Sequence, residues 1–274
     1  MRRFDGKTVV ITGASSGIGE SCARKFVAEG ARVVLAARSA EPLQRLVQEF
    51  GSDVAHAVPT DVSDRAACER LVSETTSRFG SLDILVNNAG FNSRGPLEEL
   101  PIDTMLQILH VNLRGPMMLT KLVLPTMRSQ DSGTIVNVAS LAGRFPLDDE
   151  ATYSATKFAL RAFSFALAEE LRETNVRVSV VSPGPVETGF IMDESVIDEV
   201  PDLVFSQPMS TADEIADLVL ASAADGARER TKPALSAKLA TLGYLFPGLR
   251  RSLIPVFRRK GHAAKKKYIA RHSK

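Results

Sequence analysis

Cysteine and histidine are scarce in this chain of 274 residues, and tryptophan is absent. The two cysteines, Cys22 and Cys68, both fall in helical apolar patterns, so we expect buried thiols and no disulfide. The four histidines, His56, His110, His262 and His272, have no ligand spacing, and no metal site is expected. No stretch reaches the ~18 apolar residues of a membrane-spanning helix. The basic N-terminus, Met1 to Lys7, enters an apolar strand at once and lacks the h-region of a signal peptide, which points to the cytosol. No linker is evident before about residue 226, and there is no internal repeat. Hydrophobic residues make up 44% of the chain, ample for a core.

What is present is an alternation of short β-branched runs and helical patterns. Strands are expected at 8–11, 32–37, 53–58, 83–86, 134–138 and 176–181. This order predicts an α/β fold, a doubly wound parallel sheet of the Rossmann type with helices on both faces. We expect one catalytic domain over 1–226 and a basic extension over 227–274. The first strand runs into Thr12, Gly13, Ala14, Ser15, Ser16, Gly17, Ile18 and Gly19, followed by a helix that stops at Gly30. Strand, glycine turn and helix together suit a dinucleotide: glycines admit the pyrophosphate, and the helix start offers free N–H groups and a positive dipole end. The second strand ends at Arg38 and Ser39, where sites that prefer NAD place a carboxylate. Arg38 suits a 2′-phosphate and Ser39 can donate a hydrogen bond, so NADP (NADPH) is the expected cofactor.

The stretch 151–174 contains no Gly or Pro and has helical periodicity. It carries Tyr153 and Lys157, four apart and so on one face. Ser140 lies thirteen residues before the tyrosine. A phenol, an ammonium and a hydroxyl can together move a proton to or from a carbonyl oxygen. A tyrosine pKa near ~10 must fall for that work at neutral pH, and a cation beside it lowers the value.

These motifs, in this order, make residues 5–225 resemble the short-chain dehydrogenase/reductase family. Gly13 to Gly19 is similar to the family's cofactor turn, and Asp61 with Val62 to the pair that meets the adenine. Asn87, Asn88, Ala89 and Gly90 resemble the motif that steadies the sheet and borders the cofactor. Pro183, Gly184, Pro185, Val186, Glu187 and Thr188 resemble the stretch at the nicotinamide end. The resemblance implies Tyr153 as general acid/base, and Lys157 as the residue that holds the ribose and lowers the Tyr153 pKa with help from the positive nicotinamide of the oxidised cofactor. It implies Ser140 as the residue that orients the substrate oxygen. Asn112, through a water, would link Lys157 to solvent. Pro116 has no N–H for the Asn112 carbonyl, so a distorted helix is expected there. The resemblance also implies a homodimer or homotetramer, formed through the helices that carry Asn112 and Tyr153. Met117, Met118, Phe158, Phe163 and Phe165 are offered as apolar surface for it.

The resemblance also implies that residues 189–208 cover the cleft. They hold Phe190, Ile191, Met192, Val196, Ile197, Leu203, Val204 and Phe205, which suggests an apolar or lipid-like small-molecule carbonyl or alcohol substrate. The last segment departs from the family. From Ala227 on there are fourteen Lys and Arg against the single acid Glu229, a net of +13; the whole chain carries +2, which leaves −11 for the body. The stretch 231–236 is a poor candidate for a last strand. Leu235, Leu239, Leu242, Phe246, Leu249 and Leu253 form an amphipathic stripe, which Pro247, Gly248 and Pro255 should break into pieces. Three readings stay open for this tail: a cap over the cleft with a frayed end beyond Lys260, a contact with anionic membrane, or packing on a partner subunit. Nucleic acid fits poorly, because stacking aromatics are sparse there. A catalytically silent NADP-binding regulator or membrane-tethered scaffold is the rival to an enzyme.

Overall fold

The computed structural model describes residues 2–192 and 197–272; Val196 of the expected lid lies outside them. Seven parallel strands form one sheet in the order β3-β2-β1-β4-β5-β6-β7. They are β1 Thr8–Thr12, β2 Arg32–Ala37, β3 Ala55–Pro59, β4 Ile84–Asn87, β5 Gly133–Val138, β6 Val176–Pro183 and β7 Glu229–Lys232. The helices are α1 Gly17–Ala28, α2 Ala40–Phe50, α3 Arg65–Phe79, α4 Ile102–Leu109, α5 Gly115–Ser129, α6 Ala151–Glu170, α7 Gly189–Met192, α8 Ala212–Asp225, α9 Ala234–Leu245 and α10 Pro247–His272.

Every residue of β1 is buried, as a sheet covered on both faces requires. One core layer packs Phe26, Leu35 and Leu43 with Ile215 and Val219 of α8. The opposite layer packs Leu71, Leu85, Leu119 and Ile135. The helices are stopped and started by local chemistry. Asp64 accepts hydrogen bonds from the Ala66 and Ala67 amides at the start of α3, and Thr211 with Glu214 forms a capping box on α8. The two cysteines are buried thiols, in α1 and α3.

Strand order reverses between β1 and β4, which opens a crevice at their carboxyl ends. Asn88 closes its floor. Its Nδ2 donates to the carbonyls of Thr12 at 3.0 Å and Gly13 at 3.2 Å, and Thr12 Oγ1 accepts the Asn88 and Ala89 amides. Asn87 Nδ2 donates to Asn137 Oδ1 at 2.8 Å, and Asn137 Nδ2 to Ser164 Oγ at 2.8 Å, which ties β4, β5 and α6 together.

The last strand and the tail differ from the sequence expectation. The strand is 229–232, not 231–236, and its register is held from below: the Glu229 carboxylate, its side chain only 8% exposed, accepts from Arg144, Arg161 and the Ser182 hydroxyl. Polar residues can form this strand because it is an edge strand fixed by charge rather than by apolar burial. Pro255 lies inside α10, and the helix runs past Lys260 to His272. The helix continues through this local breaker, and farther along it Ala264 and Tyr268 pack on the lid residues Val200, Val204 and Phe205.

Candidate active site

A cavity of about 760 Å³ fills the crevice and extends beneath the lid and the tail. Of the residues expected to hold a cofactor, all but Gly19 line it: Gly13, Ser15, Ser16, Gly17, Ile18, Arg38, Ser39, Asp61, Val62, Asn88, Ala89, Gly90, Tyr153, Lys157, Pro183, Gly184, Val186 and Thr188. Gly13 and Gly17 have φ of 66° and 55°, which only glycine adopts without strain. A Cβ on Gly19 would overlap the Gly13 carbonyl and sit 2.7 Å from Asn88 Nδ2, so Gly19 lets α1 pack against its own turn. Ser16, the N-cap of α1, makes no side-chain capping bond, and the first amides of the helix remain for an anion.

Arg38 lies exposed at the end of β2 with no ion-pair partner among the described residues. Its charge helps hold the Asp61 carboxyl below the ordinary range, although burial works against this and hydrogen bonds from Ser63 contribute more. Ser39 starts α2 without a capping bond. The glycine cradle, the open helix start and this unpaired guanidinium fit a phosphorylated dinucleotide.

At the other end, Ser140, Tyr153 and Lys157 converge on the same cavity. Tyr153 and Lys157 sit one turn apart near the start of α6, both almost fully buried. Lys157 Nζ donates to the Val138 carbonyl at 3.0 Å and lies 5.5 Å from the Tyr153 ring centre. Ser140 Oγ accepts the Ala142 amide at 3.0 Å, and the Ser140 hydroxyl works to lower the Tyr153 pKa.

The protein's own groups favour a neutral phenol. Burial pushes the Tyr153 phenol well above its ordinary value, and the Glu150 carboxylate adds to the rise; Ser140 and Arg94 oppose it without prevailing. Burial also pulls Lys157 down to about 8. The protein's own groups therefore leave the phenol neutral, and the lowering ascribed to Lys157 needs a further cation beside it.

Asn112 does not line the cavity. It is fully buried, and its carboxamide clasps the backbone of Phe91: Nδ2 donates to the carbonyl and Oδ1 accepts the amide, both at 2.7 Å. The helix is distorted where Pro116 predicted, as a π turn over His110–Arg114 between α4 and α5.

Arg94 and Glu150 had no signal in the sequence. They form an ion pair of 2.9 Å, both under a tenth exposed, against the cavity wall. Arg94 Nη2 also donates to the Phe190 carbonyl at 3.4 Å, and the Phe190 ring centre lies 6.1 Å from that of Tyr153. Burial raises the Glu150 pKa against the pull of Arg94. A loop residue and a helix cap 56 positions apart share no periodicity, so only the fold could pair them.

The short chain dehydrogenase family model matches residues 7–196. The chain belongs to the short-chain dehydrogenase/reductase family. It is 34% identical to dehydrogenase/reductase SDR family member 7B of Bos taurus over 97% of this chain and 83% of that protein. An uncharacterised oxidoreductase of Staphylococcus aureus is 38% identical over 66% of this chain and 79% of its own. Among solved structures, a metagenomic short-chain oxidoreductase in complex with NADP is 33% identical with a TM-score of 0.71, covering 84% of this chain and 97% of that one. A Burkholderia phymatum family member in complex with NAD is 27% identical with a TM-score of 0.82, covering 91% and 97%. As a family member the chain is an oxidoreductase, and the parallel sheet and its crevice are the family's fold.

Proposed function

We propose that the chain is an NADP(H)-dependent oxidoreductase that interconverts a ketone and a secondary alcohol on an apolar substrate. The observation that carries this is the single cavity with Arg38 and the glycine turn at one end and Ser140, Tyr153 and Lys157 at the other. When bound, the dinucleotide supplies the hydride and a positive ring near the phenol. Tyr153 Oη gives its proton to the carbonyl oxygen in reduction and takes it back in oxidation. Ser140 holds that oxygen by a hydrogen bond. Lys157, through its ammonium, anchors the ribose and favours the phenolate. Asn112 acts as a positioning residue: by clasping Phe91 it fixes the loop after β4 beside Gly90 and Lys157. The substrate end is walled by Phe91, Leu141, Phe145, Leu147, Phe190 and Val204, which excludes water and suits an apolar ketone.

The same reading includes a homodimer or homotetramer formed through the helices that carry Asn112 and Tyr153. The sequence offered five residues for it, but four are used within the chain. Phe158 packs on Tyr244, Phe163 on the core, and Phe165 under Arg161 and Arg228. Met118 is also packed on the core. Met117, with Ile102 and Leu106 of α4, is left exposed.

NADPH oxidation over a panel of ketones tests the function. Turnover is expected with apolar ketones, and Tyr153→Phe should reduce it by roughly 10²–10⁴-fold while NADPH still binds. Arg38→Ala should remove a tenfold to hundredfold preference for NADPH over NADH, the worth of roughly 1.5–3 kcal/mol for one charge-assisted contact. Near-normal turnover in Tyr153→Phe, or equal affinity for the two cofactors in the unmutated chain, would refute the corresponding assignment.

A further inference from the structure

α9 turns an apolar stripe outward. Leu235, Leu239 and Leu242 follow at steps of four and three, which puts them on one helix face, and Phe246 is the residue that caps the helix end. All four are exposed, Leu235 at 69%. Leu245 and, on α10, Val256 are 62% and 64% exposed. Contiguous apolar surface of this kind marks an interaction site. Leu235, Leu239 and Leu242 also line the cavity, together with Leu253 of α10. The stripe is therefore the cavity's rim, with one side toward the substrate space and the other toward solvent.

α10 adds charge beside that rim. Leu253, Val256, Lys260 and Lys267 share one face at steps of three, four and seven. Lys260 reaches the cavity mouth. Arg251, Arg259, Lys260, Lys266 and Lys267 are all exposed, with no ion-pair partner among the described residues. The cations that the fold does use are different ones. Arg258 pairs with Asp148, and Lys265 donates to the carbonyls of Asp198 and Val200, each at 2.8 Å. The tail's single acid, Glu229, is paired with Arg144 and Arg161.

We propose that α9 and the outward face of α10 dock on an anionic lipid bilayer and hold the mouth of the cavity against it, so that an apolar substrate enters from the acyl-chain region. An apolar rim bordered by unpaired cations matches the boundary between acyl chains and anionic headgroups. A second copy of the chain fits worse, because a two-fold contact sets the same cations against each other. The docking rests on the reading of the cavity as a site for an apolar ketone; the membrane contact itself is independent of turnover.

Co-sedimentation of the full chain with phosphatidylcholine vesicles, with and without phosphatidylserine, tests it. Binding is expected only with phosphatidylserine and should be lost in high salt. The triple reversal R259E/K266E/K267E should weaken partitioning at least about tenfold. Leu245→Asp with Val256→Asp should weaken it by removing apolar insertion. None of these five side chains lines the cavity, so NADPH binding and turnover of a water-soluble ketone should persist in both variants. Failure to bind phosphatidylserine vesicles at low salt, or equal binding by the wild type and the charge reversal, would overturn the proposal. If vesicle binding fails while the soluble ketone is turned over, the docking surface is wrong and the enzyme reading stands. If vesicles bind but no ketone is reduced, the enzyme reading fails instead.

Discussion

Tyr153 sits under opposing demands. The chemistry needs a phenol that exchanges its proton near neutrality, yet burial and Glu150 hold that proton on. Burial removes water from the reaction and strengthens every field in the cavity. It also means that the phenol is kept protonated for reduction, and that a positive charge beside it would favour the phenolate needed for oxidation. Lys157 bears the mirror image of this cost. Its pKa is about 8, against the ordinary lysine value of 10.5. Between those two values the unfolded chain holds more protons than the folded one, so this group makes stability rise with pH over that window. Below about 8 both states are charged and its contribution is constant. Lys157→Met should abolish the rise: the wild-type-minus-variant unfolding free energy, from urea titrations of the free protein, should increase from pH 8 toward 10.5. A flat or falling difference would show that the ammonium is not desolvated.

Among the elements, α10 is the one whose placement departs most from local signals. It crosses the lid turn Asp202–Ser206 so closely that a Cβ on Gly261 would overlap the Asp202 carbonyl. Around that crossing His262 meets Asp202 at 3.0 Å, and Tyr268 packs on Phe205 with ring centres 6.2 Å apart. The lid and the tail thus share one small apolar cluster built on Val200, Val204 and Phe205. Gly261→Val forces the helix away from the lid, and overpacking of this kind costs about 1–3 kcal/mol. The loss should stay local: amide exchange should quicken over 247–272 and the lid, while β1 to β6 keep their protection. Exchange unchanged in the tail would show that the crossing is not tight.

For the whole molecule, the exposed Ile102, Leu106 and Met117 give the proposed dimer a face well away in sequence from the basic tail. Sedimentation should show a dimer or larger species at micromolar concentration, and Met117→Glu with Ile102→Glu should shift it to monomer. A wild type that sediments as a monomer would remove this interface.

The sheet, its parallel order and the glycine turn were legible in the sequence because each rests on local rules. Buried strands are runs of β-branched residues, turns need glycine where φ is positive, and helix faces repeat every 3.6 residues. Tyr153 with Lys157, and the distortion at Asn112, could be read for the same reason. Strand boundaries at 55–59 and 84–87 fell within two residues of expectation. What tertiary structure alone decided depends on partners distant in the chain. A polar strand at 229–232 is held by arginines some seventy to eighty-five positions away. Arg94 finds Glu150 across the cavity wall. A helix passes through Pro255 and brings Ala264 and Tyr268 onto the lid, a contact that a local rule cannot foresee. Tyr153's pKa rises because burial, a property of the whole fold, outweighs the opposing pull of Ser140 and Arg94.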